Sequence, residues 1–546
     1  MVPFRLPRTG LTSNTLILLV AAFLTAFGNG AFISNVLKTY PIMGGNAMAL
    51  LSVIIVFGGA TIILFAMLCF KHSTKPVLIL FLLLSALAAY FMDSYGIVIN
   101  DEMLHNIVLT HPAEARDLAS LKLLVYIAVL GIVPALAVSR TPLRWRGLRV
   151  ESFARLKLVG ITLSVMVGLV VAFGSFYASF YREHKVLRAY ANPTYYVYSV
   201  IKYATRFLAP GSSGPVVAIG ADSKIPAWDT HRELIIMVVG ETARADRFSL
   251  NGYQRDTNPM LRKANAISFT NFWACGTSTA ISVPCMFSLG GEAAAGSRKA
   301  AASENLLDVL QRSGVNVLWL ENNSDSKGVA VRVPFQDYRS ASVNPVCDVE
   351  CRDEGMLSAL QPYIDSHPKG DIFIVLHQMG NHGPAYFLRY PPEFEKFTPA
   401  CKTNELSRCS REEIDNAYDN AILYTDHFLA KTIDVLEKNS GRFEAALFYV
   451  SDHGESLGEN GMYLHGFPKF VAPESQLRVP AVMWFGSSFD DVNIPEIHKK
   501  RGMRFSHDNI FHTVLGFLEI ETSIYRPELD ILESARLHDE KRVARH

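Results

Sequence analysis

The sequence predicts a two-part protein: a bundle of five membrane-spanning helices followed by a largely parallel α/β domain. Three observations carry this. Apolar residues make up 49% of the 546-residue chain, and their excess sits in the first third, in five long runs. From residue 233 the pattern changes to short apolar strands alternating with helical periodicity. Only 19% of residues are charged and mean hydropathy is +0.18, against ~25% charged residues in ordinary soluble domains. A wholly soluble chain and a disordered one are thereby excluded. Lys and Arg number 52 against 51 Asp and Glu, for a net charge of +1, so no basic excess marks a nucleic-acid binder.

The apolar runs are Leu16–Phe32, Ala47–Phe70, Val77–Met92, Leu121–Val138 and Leu158–Phe180. The third is the shortest. The first follows Arg5 and Arg8, as in a signal peptide, but no small-residue cleavage pattern follows and four more runs do. It reads as a retained helix. Lys71 and Lys75 mark the second loop, and Arg140, Arg144, Arg146, Arg149, Arg155 and Lys157 the fourth. The first loop carries only Lys38, and the third is mainly acidic, with Asp93, Asp101, Glu102, Glu114 and Asp117. Basic loops face the cytoplasm. A cytoplasmic amino terminus and five spans then place everything after Phe180 on the far side. The domains expected are 1–180 in the membrane, 181–232 as a linker and 233–546 as the exported domain.

The seven cysteines test this topology independently. Cys69 falls inside the second run and reads as a packing residue. The other six come in close pairs, Cys275/Cys285, Cys347/Cys351 and Cys401/Cys409. Six cysteines allow fifteen connectivities, of which the sequential one is simplest. Disulfides need an oxidising compartment, which agrees with export. A zinc cluster is the rival reading, and only one pair comes near CxxC spacing.

The linker mixes Tyr190, Tyr195, Tyr196, Tyr198, Tyr203 and Phe207 with Arg182, Lys185, Arg188, Lys202 and Arg206. Rings with snorkelling cations suit short helices on the outer leaflet, and an amphipathic packing helix is the alternative. Residues 208–230, with Pro210 to Pro215 among them, then read as a bridge with little regular structure.

In the third part the strands expected are Leu234–Val239, Val315–Leu320, Ile372–Leu376, Ala445–Val450 and Val479–Phe485, with helices at Leu306–Gln311 and Ile414–Leu436. Ligands bind at the carboxyl ends of such strands. Three ends deliver chemistry there: Gly240-Glu241-Thr242, Ser451-Asp452-His453-Gly454 and His377 through Gly383. Carboxylates and imidazoles without thiolate suit Zn²⁺ or Mn²⁺. The hydroxyl-rich stretch Cys275 to Cys285 offers Thr277, Ser278 and Thr279 as nucleophiles, and spacing does not separate them. A helix starting here would favour a phosphoryl group through its free N–H groups, and a metal would activate the hydroxyl. An ordinary Ser/Thr helix cap is the plainer alternative.

The segments VVGETARADRFSLNGYQRDTNP, CGTSTAISVPCMFS, NNSDSKG, LHQMGNHGPAYF, YDNAILYTD and VSDHGESLGENGMYLHG resemble those of the lipid A phosphoethanolamine transferases, a family that includes the mobile colistin-resistance enzymes. The resemblance spans residues 238–466, and the five-run amino region matches in length and order. It implies an α/β domain of alkaline phosphatase/sulfatase type in the periplasm, anchored in the bacterial inner membrane. It implies Thr279 as nucleophile and Glu241, Asp452, His453 and Thr279 as ligands of one tightly bound Zn²⁺. His382 and His465 would hold a second zinc or the donor phosphate. Ser324 and Lys327 match head-group contacts, and Asn106, Thr110 and Glu114 match a substrate-binding segment in the third membrane loop. Some relatives carry further cysteines around the stretch matching Asn322–Gly328; here there are none, so fewer disulfides are expected.

The activity so implied is transfer of phosphoethanolamine from phosphatidylethanolamine to a lipid A phosphate, by a monomer, through a covalent threonine intermediate. Adding an ethanolamine cation would lower surface negative charge and confer resistance to polymyxins such as colistin. Alternatives within the fold are a core-heptose acceptor, phosphoglycerol transfer, and a sulfatase; Cys285-Met286-Phe287-Ser288 lacks the C/S-x-P/A-x-R pattern of type I sulfatases. The alternative of another class is a non-enzymatic surface-binding protein, which would have no need for Thr279 beside a complete ligand set.

Overall fold

The chain divides into two units, residues 1–104 with 119–203 and residues 105–118 with 204–546. The computed structural model describes residues 10–42, 46–110, 112–184, 186–205, 216–295 and 302–537. Arg5, Arg8, Lys185, Arg206, Phe207 and, within the bridge, Pro210–Pro215 lie outside the described residues.

In the first unit, α1 (Ser13–Phe27), α2 (Gly30–Thr39), α3 (Ala47–Leu68), α4 (Thr74–Tyr95) and α5 (Leu121–Arg140) precede α6 (Leu148–Ala172), α7 (Gly174–Arg182) and α8 (Thr194–Tyr203). Among the described residues α3, α4, α5 and α6 are 4 helices each long and apolar enough to cross a membrane, and α1 with α2 makes a fifth span only if the pair, bent by 54°, is one. The first apolar run is therefore not a straight helix over Leu16–Phe32. It breaks at Gly28 and Asn29, and the freed backbone groups are bonded from the linker. Asn192 Nδ2 donates to Gly28 O at 2.9 Å, and Asn29 Nδ2 donates to Leu24 O at 2.8 Å and to Asn192 O at 2.7 Å. Asp93 Oδ1 accepts the Ala31 N–H at 2.6 Å at the start of α2. Apolar surroundings allow a broken helix only where such partners exist. Asp93, read as a loop residue, thus lies within the longer α4.

The last run also differs. The helix starts at Leu148 rather than Leu158 and ends at Ala172, with α7 as a separate piece. Its basic first turns carry Arg149, Arg155 and Lys157, residues the hydropathy pattern assigned to a loop. Leu163, Val165, Val167 and Val171 on α6 are about half or more exposed, which suits lipid rather than water. The linker aromatics Tyr190, Tyr196 and Tyr203 are buried, and Tyr190 Oη donates to Gly96 O at 2.5 Å. They pack as an amphipathic helix packs, while Tyr198 remains exposed.

The second unit is built on an eight-stranded sheet: β1 (Glu233–Gly240), β2 (Ile267–Trp273), β3 (Asn316–Glu321), β4 (Phe335–Asp337), β5 (Ile372–His377), β6 (Glu444–Ser451), β7 (Arg478–Phe485) and β8 (Phe505–Ser506), in the order β8-β2-β7-β6-β1-β5-β3-β4. β1, β5 and β6 are buried along their whole length, which is why they read as continuous apolar runs. β7 is antiparallel to both β6 and β2, an exception to the parallel expectation. β2 went unread because Ser268, Thr270 and Asn271 interrupt its apolar pattern.

Helices α9 (Thr279–Phe287), α10 (Leu306–Arg312) and α11 (Arg411–Asn439) pack around this sheet. α11 begins at a capping box, with Ser410 Oγ accepting the Glu413 N–H and Glu413 Oε2 the Ser410 N–H. It runs past the predicted Ile414–Leu436 because its ends are polar and lack the apolar spacing. The pairing registers place Gly240 opposite Ser451, Val239 opposite His377 and Glu321 opposite His377. The carboxyl ends of β3, β5, β1 and β6 are therefore level, and the residues that follow them meet at one rim.

Tyr418 on α11 ties that rim to the core. Its hydroxyl donates to Thr242 O at 2.6 Å and accepts the Arg244 N–H at 3.0 Å, fully buried. Tyr418→Phe should cost about 1–3 kcal/mol, because two buried backbone groups lose their partner. The check is a lower denaturant midpoint at unchanged slope; an unchanged midpoint would show the bonds to be dispensable.

Candidate active site

Gly240 ends β1 where a Cβ would lie 2.5 Å from the Tyr449 ring, so only glycine lets the strand pass. The next residue, Glu241, turns its carboxylate onto the rim. Asp452 and His453 follow β6. All three are fully buried, and one ligand atom from each lies within 4.8 Å of the others. His453 Nε2 is 3.4 Å from Glu241 Oε1 and 3.3 Å from Asp452 Oδ2. Its other nitrogen, Nδ1, is 2.9 Å from Gly454 O. A carbonyl can only accept, so Nδ1 carries a hydrogen and Nε2 is the nitrogen turned to the carboxylates, whose charges raise the His453 pKa; a metal would take the place of the Nε2 proton. Gly454 is required there, because a Cβ would meet Ser475 O at 2.0 Å.

The nucleophile segment approaches from α9. Thr277 Oγ1 is engaged with Phe467 O at 2.6 Å, and Ser278 is the N-cap residue. Thr279 opens the helix, with Oγ1 donating to Glu241 Oε2 at 3.1 Å and lying 3.4 Å from His453 Nε2. Of the three competing hydroxyls, Thr279 is the one at the carboxylate pair. Cys275 and Cys285 are disulfide-bonded across this segment, as are Cys347 with Cys351 and Cys401 with Cys409. The pairing is sequential, and buried Cys69 is free. His507 braces the same segment: Nδ1 accepts the Cys275 N–H at 3.2 Å, and Nε2 lies 3.0 Å from Ser451 O.

The electrostatics are those of a cation site. Burial first, then the Glu241 charge, pushes the Asp452 carboxyl up to about 7. Burial opposes ionisation of Glu241 as well, but the charge of the neighbouring His453 imidazole outweighs it and holds the carboxyl low. Asp452 Oδ2 is buried without a hydrogen-bond partner. Two buried carboxylates, an imidazole nitrogen and an orphaned oxygen fit a divalent metal, and the mixed nitrogen and oxygen donors fit zinc.

Three imidazoles form a row leading out of the cluster. The His453 and His465 ring centroids are 4.4 Å apart and those of His465 and His382 5.3 Å. Burial drives His465 down to about 3 and lowers His382, so both are neutral near pH 7. The charge of Glu114 acts on His382. Lys327 Nζ donates to Leu109 O at 3.1 Å, which brings Lys327 beside Thr110; Thr110 Oγ1 donates to Asn106 O at 2.9 Å. Arg389, bonded to Asp117 and to His382 O, holds the same segment. Ser324 is buried directly after Asn323 at the end of the β3 edge.

Several contributors were not legible beforehand. Asn323 Nδ2 donates to Glu241 Oε2 at 2.7 Å, and Asn323 N to Glu321 Oε1 at 2.8 Å. Thr242 Oγ1 donates to Glu241 Oε1. His377, counted among the strand-end imidazoles, instead pairs with buried Glu321 through Nδ1 at 2.9 Å. Glu455 is fully buried, 3.3 Å from His465 Nδ1. The available signal for Asn323 was its place just after a strand end, as for Glu241.

Residues 233–520 match the sulfatase family, and residues 57–207 the family described as phosphoethanolamine transferase EptA/EptB. Phosphatidylethanolamine transferase Mcr-1 of Escherichia coli is 43% identical over 488 residues, 87% of this chain and 90% of its own. Phosphoethanolamine transferase EptA of Escherichia coli strain K12 is 38% identical over 544 residues, 97% and 98% of the two chains. The structure of the integral membrane protein lipooligosaccharide phosphoethanolamine transferase A (EptA) from Neisseria meningitidis superposes with a TM-score of 0.92 at 35% identity, covering 97% of this chain and 100% of that one.

Metal analysis of the purified protein should find zinc, lost in Asp452→Ala and Glu241→Gln. Asn323→Ala should weaken zinc about 10–100-fold, as loss of a bond to a ligating carboxylate does; unchanged affinity would remove Asn323 from the site. Burial holds His507 near a pKa of about 3, below the ~6.5 of an unfolded chain. The unfolded state therefore binds the proton first, and stability falls as pH drops from about 6.5 toward 3, on the order of 2 kcal/mol by about pH 5. His507→Gln should flatten that slope in unfolding measured across this range.

Proposed function

Because the chain belongs to the phosphoethanolamine transferase family, we propose that it transfers phosphoethanolamine from phosphatidylethanolamine to a phosphate of lipid A, with Thr279 carrying the group between them. The observation that supports this most directly is the Thr279 hydroxyl, set at a helix start and bonded to Glu241 beside His453 Nε2. Glu241, Asp452, His453 and Thr279 would hold zinc, which when bound supplies a Lewis acid that lowers the pKa of the threonine hydroxyl and stabilises charge on phosphoryl oxygens.

The chain's own groups do the rest. Thr279 Oγ1 forms a bond to phosphorus as the bond to the diacylglycerol oxygen breaks. The hydroxyl proton leaves along the hydrogen bond to Glu241, and one proton is delivered to the departing diacylglycerol oxygen through His382 or His465. In the second step a lipid A phosphate oxygen attacks the same phosphorus. The bond to Thr279 Oγ1 breaks, the acceptor's proton returns to Thr279, and the product is a phosphoric anhydride bearing ethanolamine. Backbone N–H groups at the start of α9 and the Lys327 ammonium meet the phosphoryl charge. Asn106, Thr110, Glu114 and Ser324 bind the head group, with the Glu114 carboxylate suited to the ethanolammonium.

Loop charges, disulfides and the apolar helices support an inner-membrane protein with this unit in the periplasm. Both substrates are lipids there, so neither need leave the leaflet. Masking lipid A phosphates would weaken polymyxin binding and give colistin resistance.

Mass spectrometry of lipid A from cells expressing the protein should show one added phosphoethanolamine, and Thr279→Ala should abolish the addition at normal expression. An unchanged lipid A spectrum would move the acceptor elsewhere, such as core heptose. Full activity in Thr279→Ala would overturn the covalent route.

A further inference from the structure

The amino end of β1 carries a second group of buried carboxylates, eight residues and roughly 26 Å of strand away from Glu241. Glu233 opens β1, Asp371 immediately precedes β5, and Asp229 ends the segment leading into the sheet. β1 and β5 pair directly, with Leu234 opposite Ile372. Ligand oxygens of Asp229, Glu233 and Asp371 lie within 4.8 Å of one another.

Their polar partners are few. Glu233 is fully buried, no amide, hydroxyl or cationic donor reaches either carboxylate oxygen, and its hydrogen-bonding neighbour is the Asp371 carboxyl. Asp371 is 3% exposed; Oδ1 accepts the Glu233 N–H at 3.2 Å, and Oδ2 has no partner. Asp229 Oδ1 accepts the His231 N–H at 3.2 Å, and its buried Oδ2 has none. The neighbouring cation, Arg232, donates to the carbonyls of His367 and Gly370, and its charge reaches Asp371 without forming an ion pair. Among the described residues no Lys or Arg forms an ion pair with any of the three. Two buried carboxyls turned on each other, each with oxygens that no outside donor reaches, and a third beside them carry a heavy desolvation cost unless a cation or a proton sits between them.

We propose that Asp229, Glu233 and Asp371 bind one hard divalent cation, Ca²⁺ foremost. The donors are all carboxylate oxygen, the set that takes Ca²⁺, Mg²⁺ or Mn²⁺ in preference to zinc. The cation bridges the paired starts of β1 and β5 to the entering segment and so clamps the amino edge of the sheet. This site is separate from the Thr279 centre and does not rest on the reaction assigned to it. The competing arrangement is a shared proton: burial, then the charges of Asp371 and Asp229, pushes Glu233 up to about 12, so without a cation its carboxyl stays protonated.

The test uses the full-length, zinc-loaded protein in detergent, exchanged into buffer free of other divalent ions and titrated with CaCl₂, and in parallel with MgCl₂ and MnCl₂. One equivalent of Ca²⁺ should bind, and the unfolding midpoint should rise by about 5 °C at saturation. Glu233→Gln should lose both effects while zinc content is unchanged. If that variant does not fold, Asp229→Asn, at the less buried side, should still weaken Ca²⁺ binding about tenfold or more. Absence of binding and of any midpoint shift with all three ions overturns the proposal and leaves the shared proton. So does an equal shift in wild type and in every folded variant.

Discussion

The structure depends on one electrostatic constraint: two carboxylates that cannot both be buried and charged without a cation between them. The register of β1 against β6 pairs Gly240 with Ser451, and the residues that follow, Glu241 and Asp452, emerge side by side. A parallel sheet makes this unavoidable, since neighbouring strands end at the same level and their next residues share a rim. The local structure is arranged to keep those charges. Asn323, Thr242 and Thr279 all donate to Glu241, while Asp452 Oδ1 accepts the N–H groups of Thr242 and His453. The nitrogen His453 Nε2 and one orphaned oxygen, Asp452 Oδ2, are left for a metal.

This part of the site was legible because it hangs on backbone periodicity. Continuous apolar runs identify buried parallel strands, and the first polar residues after them must lie at the rim. Glu241, Asp452 and His453 follow from that rule alone. The choice among Thr277, Ser278 and Thr279 does not, because it depends on where α9 starts. Thr277 faces Phe467 O and Thr279 faces Glu241 because Thr277 precedes the N-cap Ser278, whereas Thr279 is the first residue of α9. Asn323 and Glu321 were unreadable for a related reason. Their roles come from cross-strand contacts at a spacing of 82 residues between Asn323 and Glu241, and composition carries no trace of such pairs.

The membrane part shows the opposite balance. Hydropathy finds apolar stretches well, but it does not weigh single polar residues that bond backbone. Asn29 and Asn192 exchange hydrogen bonds across 163 residues of sequence and hold the break between α1 and α2. A window average over Leu16–Phe32 smooths that break away. The start of α6 was misplaced by the same habit, because charged residues at a helix end count against a span even when they extend it toward the interface.

The two ends of β1 show how donor type selects the ion. Glu233 and Glu241 are both fully buried carboxylates at the ends of one strand, each beside an aspartate from a neighbouring segment. At the carboxyl end an imidazole nitrogen joins them, and hydroxyl and amide groups donate to both oxygens of Glu241. At the amino end a third carboxylate takes the place of the imidazole. Nitrogen with oxygen favours zinc, whose charge then acts on whatever hydroxyl reaches it, whereas oxygen alone favours a hard cation held by charge. With Thr279 within reach of the first group, an ion held there would act on chemistry as well as on folding. The second group presents a cation only to the edge of the sheet, so an ion there acts on stability, and the two sites can be separated by chelation and substitution.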